Sequence, residues 1–216
     1  DQRDTNITLF NHGRTVANNL TTNGAFFITG SIYPSGGTGI VFYGANFSLT
    51  DGGRVLGGIT AHDVISGIAL TGLISCNSNV LMAVPDYERQ RIYFVGNFTS
   101  VNGVTRNRAA ACDFNFNLLP WNPNLENVNS AQIELGKSGI YITTPFGVLN
   151  PRGSGSRYEK MAKFDYENGD LISQFAPIGG GKYDTAGYGT VGCREFGDGK
   201  FLLIFAGPSI NNTNLN

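Results

Sequence analysis

Charged side chains are scarce in this sequence. Asp, Glu, Lys and Arg make up 14% of its 216 residues, whereas roughly a quarter is usual in globular proteins. The formal net charge is only -1, which gives no electrostatic reason to expect binding to nucleic acid or to an anionic membrane. Long apolar runs are absent too, and none approaches the roughly 18 residues of a membrane-spanning helix. We therefore expect neither a nucleic-acid partner nor insertion into a membrane.

Histidine, the usual proton carrier near neutral pH, occurs only twice, as His12 and His62. His62 precedes Asp63, and such a pair could act as a base with its orienting carboxylate. Neighbouring residues of a strand point to opposite faces, so we interpret His62 as a surface or turn residue instead. The sequence predicts no catalytic residue, no metal site and no cofactor.

Cysteine is also rare. The three cysteines, Cys76, Cys112 and Cys193, lie far apart, and no pair has the close spacing of a zinc or redox motif. We favour buried free thiols over a disulfide, because an unpaired cysteine packs as a small apolar residue.

Glycine, in contrast, is abundant. The chain contains 30 glycines, about twice the usual share, and asparagine is plentiful as well. Both residues adopt the positive φ angles that tight turns between strands require. The composition therefore predicts many short strands joined by turns.

Residues 80–124 contain the clearest pattern in the chain. Short apolar runs of strand length cover residues 80–84, 91–96, 109–114 and 118–121, and Pro, Gly, Asn or Asp bounds each run. Four short antiparallel strands in about 45 residues are typical of one blade of a β-propeller. We therefore predict an all-β fold, a β-propeller of four-stranded antiparallel blades with about three complete blades and a partial one.

Weaker versions of this pattern lie on either side of the central stretch. The predicted blades cover residues 15–59, 80–126, 128–179 and 183–216. In the first blade, Asn23 and Gly24 predict a hairpin turn. The fourth contains a turn at Asp198 and Gly199 and a strand at 201–205, and it is incomplete at the end of the sequence.

The third blade aligns with the central one. Its strands have the same length and spacing, and both blades end in an aromatic residue followed two positions later by proline. The alignment pairs residues 139–144 with 91–96, residues 161–166 with 109–114, and residues 175–177 with 121–123.

Two stretches fit the blade pattern poorly. Residues 52–79 form an irregular insertion. Its apolar residues lie near helical spacing but are interrupted by Gly67 and Gly72. The sequence therefore leaves two alternatives for this insertion, a short helix and an extra hairpin. Residues 1–14 form a separate segment with one apolar run at 7–10. Either this run closes the last blade as a strand, or the chain is a piece of a longer propeller.

One motif in the central blade is more specific. Residues 96–110 read G-N-F-T-S-V-N-G-V-T-R-N-R-A-A, and an Asp-containing turn and the aromatic-x-Pro ending at 121–123 follow. Within this motif, Asn102 and Gly103 predict a hairpin turn with positive φ. This unit resembles the delta-sixty type of bacterial β-propeller repeat. The resemblance implies a propeller within a large extracellular, surface or virion-associated protein. The resemblance implies no catalytic activity and identifies no functional residues in this sequence.

Several acidic residues could serve a glycan-cleaving propeller, which uses two or three carboxylates. Asp86, Asp184 and Asp198 lie near predicted blade entrances. Because Asp86 begins a turn sequence and Asp198 lies in an Asp-Gly turn, we interpret these residues as turn carboxylates. Residues 165–170 contain the oxygen ligands of a calcium loop but not its spacing, and an Asn-Gly hairpin is favoured. Residues 179–182 lack the spacing and the Ser or Thr of a phosphate-binding loop.

Aromatic and arginine residues are the remaining candidates for binding. Trp121 could stack on a sugar, but its alignment with Phe175 favours packing between blades. Loops that join second to third strands, or one blade to the next, share one face of a propeller and vary in length. These loops, residues 33–39, 99–107, 146–159 and 178–184, carry our candidate binding residues Tyr33, Arg106, Arg152, Arg157, Tyr158 and Tyr183.

These features predict a non-enzymatic structural or adhesion and recognition module. Its setting would be an extracellular, cell-surface or phage virion protein, such as a tail or fibre component. The expected partners are other protein chains of the same assembly or a surface glycan. The alternative is a secreted glycan-active propeller enzyme, a glycosidase or lyase, which needs at least two carboxylates facing a common pocket.

Overall fold

The part of the chain that the computed structural model describes is all-β, as the sequence predicts. The structure describes the backbone of residues 6–11, 14–22, 26–32, 40–45, 49–51, 54–56, 59–63, 69–128, 132–150, 158–174, 189–195 and 201–206, and the side chains of residues 59, 74–125, 132–143 and 162–172. Within these ranges every strand pairing is antiparallel. They contain no helix that is long and apolar enough to cross a membrane.

The first eight strands form two four-stranded sheets. One contains, in spatial order, β1 (Asn6–Asn11), β2 (Arg14–Thr22), β5 (Leu49–Asp51) and β6 (Arg54–Leu56). The other contains β3 (Phe26–Ile32), β4 (Ile40–Ala45), β7 (Ile59–Asp63) and β8 (Ala69–Ile74).

This arrangement corrects the prediction of one blade at residues 15–59. Asn23 and Gly24 do not join a hairpin, because β2 and β3, the strands before and after them, belong to different sheets. The apolar strands β3 and β4 pair with each other, whereas the polar strand β2 pairs with β1 and β5. Facing side chains on neighbouring strands contribute to sheet stability, so the choice of partner strand depends on more than the local turn signal.

Two open alternatives from the sequence are decided by the same sheets. In the irregular insertion, β7 and β8 pair antiparallel, so the extra hairpin is confirmed. The N-terminal strand β1 pairs with β2, so it does not close the last blade as a partner of residues 201–206.

The central sheet, in the order β13-β10-β9, contains three of the four strands predicted there: β9 (Val80–Asp86), β10 (Arg91–Gly96) and β13 (Ala109–Asp113). The prediction of a fourth strand at residues 118–121 is wrong. Leu118 forms only an isolated bridge with Cys112, and the Leu119 amide donates to the carbonyl of Ala111. Pro120 has no amide hydrogen to continue the ladder, and the chain leaves the sheet.

The remaining strands follow in chain order. They are β11 (Ser100–Val101), β12 (Val104–Thr105), β14 (Glu126–Val128), β15 (Gln132–Leu135), β16 (Ile140–Asn150), β17 (Tyr158–Phe164), β18 (Leu171–Gln174), β19 (Gly189–Glu195) and β20 (Phe201–Ala206). Strands β15 to β18 form a four-stranded meander, and β14 pairs with the far end of β16. Strands β19 and β20 form a hairpin, which includes the strand predicted at 201–205.

The central sheet and the meander share one register. In the central sheet Ile92 lies opposite Cys112, and in the meander Ile140 lies opposite Phe164. The sequence alignment pairs these residues with each other. The next pairs along the strands, Phe94 with Ala110 and Ile142 with Ala162, correspond in the same way.

The central sheet is buried on both faces. Ile92 and Phe94 pack with Ile59 and Ile74 of the preceding sheet in one apolar layer. Tyr93 and Val95, which alternate with them along β10, point into a second layer with residues of the following meander, including Ile133, Ile140 and Ile142. Burial of each large side chain contributes roughly 1.5 to 3 kcal/mol, so these layers hold the three sheets together.

Candidate functional site

The connection between β10 and β13 forms a small raised platform. Strands β11 and β12 pair as a two-residue hairpin, and their turn, Asn102 and Gly103, has φ angles of 50° and 78°. Two positive φ angles in succession are the geometry for which Asn-Gly is preferred. The hairpin predicted at this position is confirmed.

Residues 75–79 run alongside this hairpin and complete the platform. The Asn102 amide donates to the Ser75 carbonyl over 2.8 Å, and the Asn97 amide donates to the Asn79 carbonyl over 2.8 Å. Below this surface, Phe98 and Val101 are fully buried in the first apolar layer. The platform, residues 75–79 and 97–108, is therefore anchored by backbone bonds and by core packing.

The side chains of two asparagines connect the two parts of the platform by hydrogen bonds. Asn77 Oδ1 accepts from the amides of Thr99, at 2.8 Å, and Ser100, at 3.0 Å, while its Nδ2 donates to Thr99 Oγ1 at 2.8 Å. Asn102 Oδ1 accepts from the Ser75 amide at 2.8 Å. In both residues the carboxamide oxygen is used internally, which fixes the orientation of the whole amide group.

The arginines of this connection bind the backbone of their own chain. Arg106 donates to the carbonyls of Thr105, at 2.9 Å, and Leu119, at 3.0 Å. Arg108 donates to the Asn97 carbonyl at 2.9 Å. Multidentate guanidinium groups suit this bracing role. A contact of Arg106 with a partner stays a prediction, and the other candidates, Tyr33, Arg152, Arg157, Tyr183 and the side chain of Tyr158, lie outside the described residues.

Asn77 and Asn102 were not singled out from the sequence as binding residues. The Asn-Gly pair indicated a turn but gave no sign that the Asn102 amide is held by residue 75, which is distant in sequence. A signal was nevertheless present, since asparagines with serine and threonine neighbours occur in both parts of the platform. Such residues form side-chain bonds to nearby backbone groups.

At the opposite end of the central sheet, the carboxylates of Asp86 and Asp113 close turns. Asp86 accepts from the Arg89 amide at 3.0 Å and from the Arg89 guanidinium at 3.1 Å. Asp113 Oδ1 accepts from the amides of Asn115, at 2.9 Å, and Asn117, at 2.8 Å. The turn interpretation of Asp86 is confirmed, whereas Asp184 and Asp198 lie outside the described residues.

Asp165 closes the turn between β17 and β18 in the same way. Its Oδ1 accepts from the amides of Glu167 and Asn168, at 2.7 Å each, and Gly169 has a φ of 78°. The Asn-Gly hairpin predicted here is therefore confirmed. In the part of the chain that the structure describes, no group of three or more His, Cys, Asp or Glu residues could hold a metal ion.

The turn after β17 is also the polar link between the central sheet and the meander. Arg91 donates to the Tyr166 carbonyl at 2.7 Å and pairs with Glu167 at 2.8 Å, while the Arg89 guanidinium lies 3.8 Å from the centre of the Tyr166 ring. Burial raises the pKa of Tyr93 to about 12, and its protonated hydroxyl donates to the Tyr166 carbonyl at 3.0 Å. These contacts connect the central sheet to the meander.

Trp121 packs between the same two sheets. It is fully buried, its ring lies edge-on to Tyr93 with centroids 5.0 Å apart, and its Nε1 donates to the Asp165 carbonyl at 2.8 Å. A buried indole cannot stack on a sugar. The packing role predicted for Trp121 is confirmed.

Cys76 and Cys112 are free thiols in the first apolar layer, as expected, and the side chain of Cys193 lies outside the described residues. Burial raises the pKa of Cys76 to about 12 and raises that of Cys112 well above its ordinary value. Thiolate, the nucleophilic form, is correspondingly depleted near neutral pH.

We expect Cys76 in the native protein to react with iodoacetamide at pH 8 at least about 100-fold more slowly than in the denatured chain, because both its thiolate fraction and its access are reduced. Peptide mapping by mass spectrometry would follow this residue separately from the other cysteines. Equal rates in the native and denatured protein would contradict the burial of this thiol.

Gly103 should not tolerate a branched side chain. Open space surrounds its missing Cβ, but its φ of 78° strains any β-branched residue. We expect Gly103→Val to lower the free energy of unfolding by about 1 to 3 kcal/mol. Chemical denaturation followed by circular dichroism would measure the change, and Val104→Ile on the same exposed hairpin serves as the control. Equal stability of the two variants would argue against the strained turn.

No protein-family model, curated protein or solved structure matches this chain, so its function has to be inferred from its own residues.

Proposed function

We propose that the chain is part of a β-propeller that serves as a non-enzymatic structural or recognition module of an extracellular, cell-surface or virion protein. The observation that supports this most is the central sheet. It is a short antiparallel sheet whose two faces are both buried against the neighbouring sheets in the chain. Propeller blades pack against both neighbours in this manner.

The order of the sheets supports the same proposal. Strand β9 lies against β3 and β4 of the preceding sheet and against β15 of the following meander. Strands β15 and β16 in turn lie against β19. These four sheets follow one another in space as they do in sequence, which a radial array of blades requires. The sheet of β1, β2, β5 and β6 is interleaved in sequence with the sheet of β3, β4, β7 and β8 and does not contribute to this argument.

The equivalent positions of Asp113 and Asp165 support a repeated unit. Each residue directly follows or ends the third strand of its sheet, and each accepts the amide of the residue two positions later. We infer that residues 80–126 and 128–179 are two copies of one unit, as the resemblance to the delta-sixty type of repeat implies.

The contacts that the described carboxylates make within the protein favour a binding role over catalysis. Asp86 is paired with Arg89, Glu167 is paired with Arg91, and Asp113 and Asp165 accept backbone amides. A carboxylate held in this way is positioned for the fold and not for proton transfer to a substrate. The platform at the other end presents ordered polar groups instead, which suits recognition.

The proposed setting can be tested with a membrane-impermeant amine reagent. The reagent is applied to intact cells that produce the protein, or to virus particles that contain it. Lys137 is exposed in the structure and should be modified without lysis if the module faces the outside. Mass spectrometry of the isolated protein would detect the modification. Labelling that occurs only after lysis would overturn the proposed location.

We expect the triple variant Arg152→Ala, Arg157→Ala and Tyr158→Ala to weaken attachment or assembly at least tenfold while the fold stays intact, because tyrosine and arginine contribute most to binding hot spots. Attachment to the natural surface, or incorporation into the particle, is the measurement. The double variant Glu88→Ala and Lys137→Ala, at exposed positions, is the control. Full retention of attachment by the triple variant would remove these residues from the site.

A further inference from the structure

Two Asn-Gly pairs lie in the described part of the chain, and asparagine is one of the chemically labile residues of proteins. One pair is Asn102 and Gly103 in the platform, and the other is Asn168 and Gly169 in the turn between β17 and β18. When the amide nitrogen of such a glycine attacks Cγ of the asparagine, a cyclic succinimide forms and ammonia leaves. Water then opens the ring to aspartate or isoaspartate. The two pairs differ in how the fold holds the peptide group that must rotate.

The peptide group between Asn102 and Gly103 lies outside the hydrogen-bonded ladder. The β11–β12 hairpin ends at the pair Val101 and Val104. Among the described residues, neither the Asn102 carbonyl nor the Gly103 amide has a hydrogen-bond partner. Gly103 is exposed, and nothing beyond its chain neighbours lies within 4 Å of its missing Cβ. Rotation of this peptide group therefore has room and breaks none of the described hydrogen bonds.

That rotation leads to the geometry that succinimide formation requires. The φ angles of Asn102 and Gly103, 50° and 78°, are those of a type I′ turn. Turning the central peptide group over gives type II′, which also suits a two-residue hairpin and in which ψ of the first central residue is about −120°. At this ψ the nitrogen of Gly103 eclipses Cβ of Asn102, as it does in the closed ring. Because type II′ prefers glycine at the first central position, Asn102 visits it only transiently.

The hydrogen bond of the Asn102 side chain leaves the departing group free. Asn102 Oδ1 accepts from the Ser75 amide at 2.8 Å, and this oxygen is retained in the succinimide. A donor at this oxygen stabilises the negative charge that develops there during the attack. Nδ2, which leaves as ammonia, donates to no protein acceptor among the described residues. The bond to Ser75 is therefore compatible with the reaction.

The second pair is held through its backbone. The Asn168 carbonyl accepts from the Asn122 amide at 2.9 Å, and the Asn168 amide donates to Asp165 Oδ1 at 2.7 Å. Gly169 is buried, and a Cβ added there would lie 2.8 Å from the nitrogen of Pro123. Rotation of this peptide group therefore breaks a bond between the central sheet and the meander, and Pro123 confines it.

We propose that Asn102 is a site of spontaneous deamidation in the folded protein and that the fold protects Asn168. The reaction consumes one water molecule and releases one ammonia molecule. In the isoaspartate product the main chain runs through the former side chain, so the turn is one methylene longer and carries a carboxylate. The platform gains a negative charge, and the two-residue turn no longer matches its strands. This chemistry belongs to the chain itself and does not depend on the proposed function.

The direct test follows the native full chain during storage in mildly alkaline buffer made with H₂¹⁸O. Mass spectrometry of proteolytic peptides separates the two asparagines, and an isoaspartate-specific methyltransferase identifies the isomer. We expect Asn102 to deamidate at least about fivefold faster than Asn168, the factor for a hydrogen bond of about 1 kcal/mol that only Asn168 has to break. Isoaspartate with incorporated ¹⁸O identifies the succinimide route. Faster conversion of Asn168, or an unchanged Asn102, would overturn the proposal.

The denatured chain is the control for the influence of neighbouring residues in the sequence. In concentrated guanidinium chloride both turns are lost, so Asn102 and Asn168 should deamidate at similar rates. If the ratio of the two rates is the same in the native and the denatured chain, the fold does not select the site and the proposal fails.

The variant Gly103→Pro tests the attacking group, because proline has no amide hydrogen to lose and cannot close the ring. It should form no isoaspartate at Asn102 while Asn168 keeps its native rate. Since this change also alters the turn, amide hydrogen exchange of the native chain provides a second measurement. We expect the Gly103 amide to exchange at least about tenfold faster than the Gly169 amide. Isoaspartate at Asn102 in the variant, or a protected Gly103 amide in the native chain, would refute the mechanism.

Discussion

Replacing Trp121 by Ala should lower the free energy of unfolding by about 3 to 5 kcal/mol, the range for a fully buried large aromatic residue. The substitution removes an indole that is packed edge-on against Tyr93 and bonded to the Asp165 carbonyl. It therefore opens a cavity between the central sheet and the meander. Because Trp121 is the only tryptophan, denaturation should be followed by circular dichroism and not by indole fluorescence.

Two controls separate the contributions of Trp121. Trp121→Phe keeps most of the packing but loses the bond to Asp165, so we expect a cost of about 1 to 3 kcal/mol. Ile172→Ala truncates an apolar side chain that is 50% exposed, and its cost should stay within roughly 0.5 kcal/mol. A loss below about 1 kcal/mol in Trp121→Ala would mean that this residue does not join the two sheets.

Gly96→Ala should be nearly as damaging, at about 3 kcal/mol, although it adds a single methyl group. A Cβ at this position would overlap the Asn79 carbonyl oxygen and lie 2.9 Å from Val80 Cα, and both atoms belong to the backbone. The Gly96 amide also donates to the Arg108 carbonyl at 2.9 Å, so the segment cannot retreat without breaking that bond. Thermal unfolding followed by circular dichroism would measure the effect.

Gly103→Ala provides the comparison for this prediction. Gly103 has open space around its Cβ position and a positive φ, so alanine there costs only backbone strain, about 1 kcal/mol. Gly96→Ala should therefore be the more destabilising of the two changes by about 2 kcal/mol. Equal losses would show that the backbone near Asn79 can shift to accept a side chain.

The sequence by itself determined the local elements of the central region. Strand β10 was predicted with its observed bounds, because Arg91 and Gly96 enclose an unbroken run of strand-forming residues. The Asn102-Gly103 turn was predicted because few other residue pairs accept two positive φ angles. The alignment with residues 139–144 also gave equivalent positions in the two sheets, since strand register follows the alternation of apolar residues.

Only the tertiary structure decided which strands pair and which groups the polar side chains contact through hydrogen bonds. The separation of β2 from β3, and the loss of a strand at residues 118–121, depend on partners far along the chain. Every residue except proline offers the same backbone donor and acceptor, so a local pattern predicts a strand but not its neighbour. The bonds of Asn102 to Ser75 and of Trp121 to Asp165 likewise join segments that only the packing of the sheets brings together.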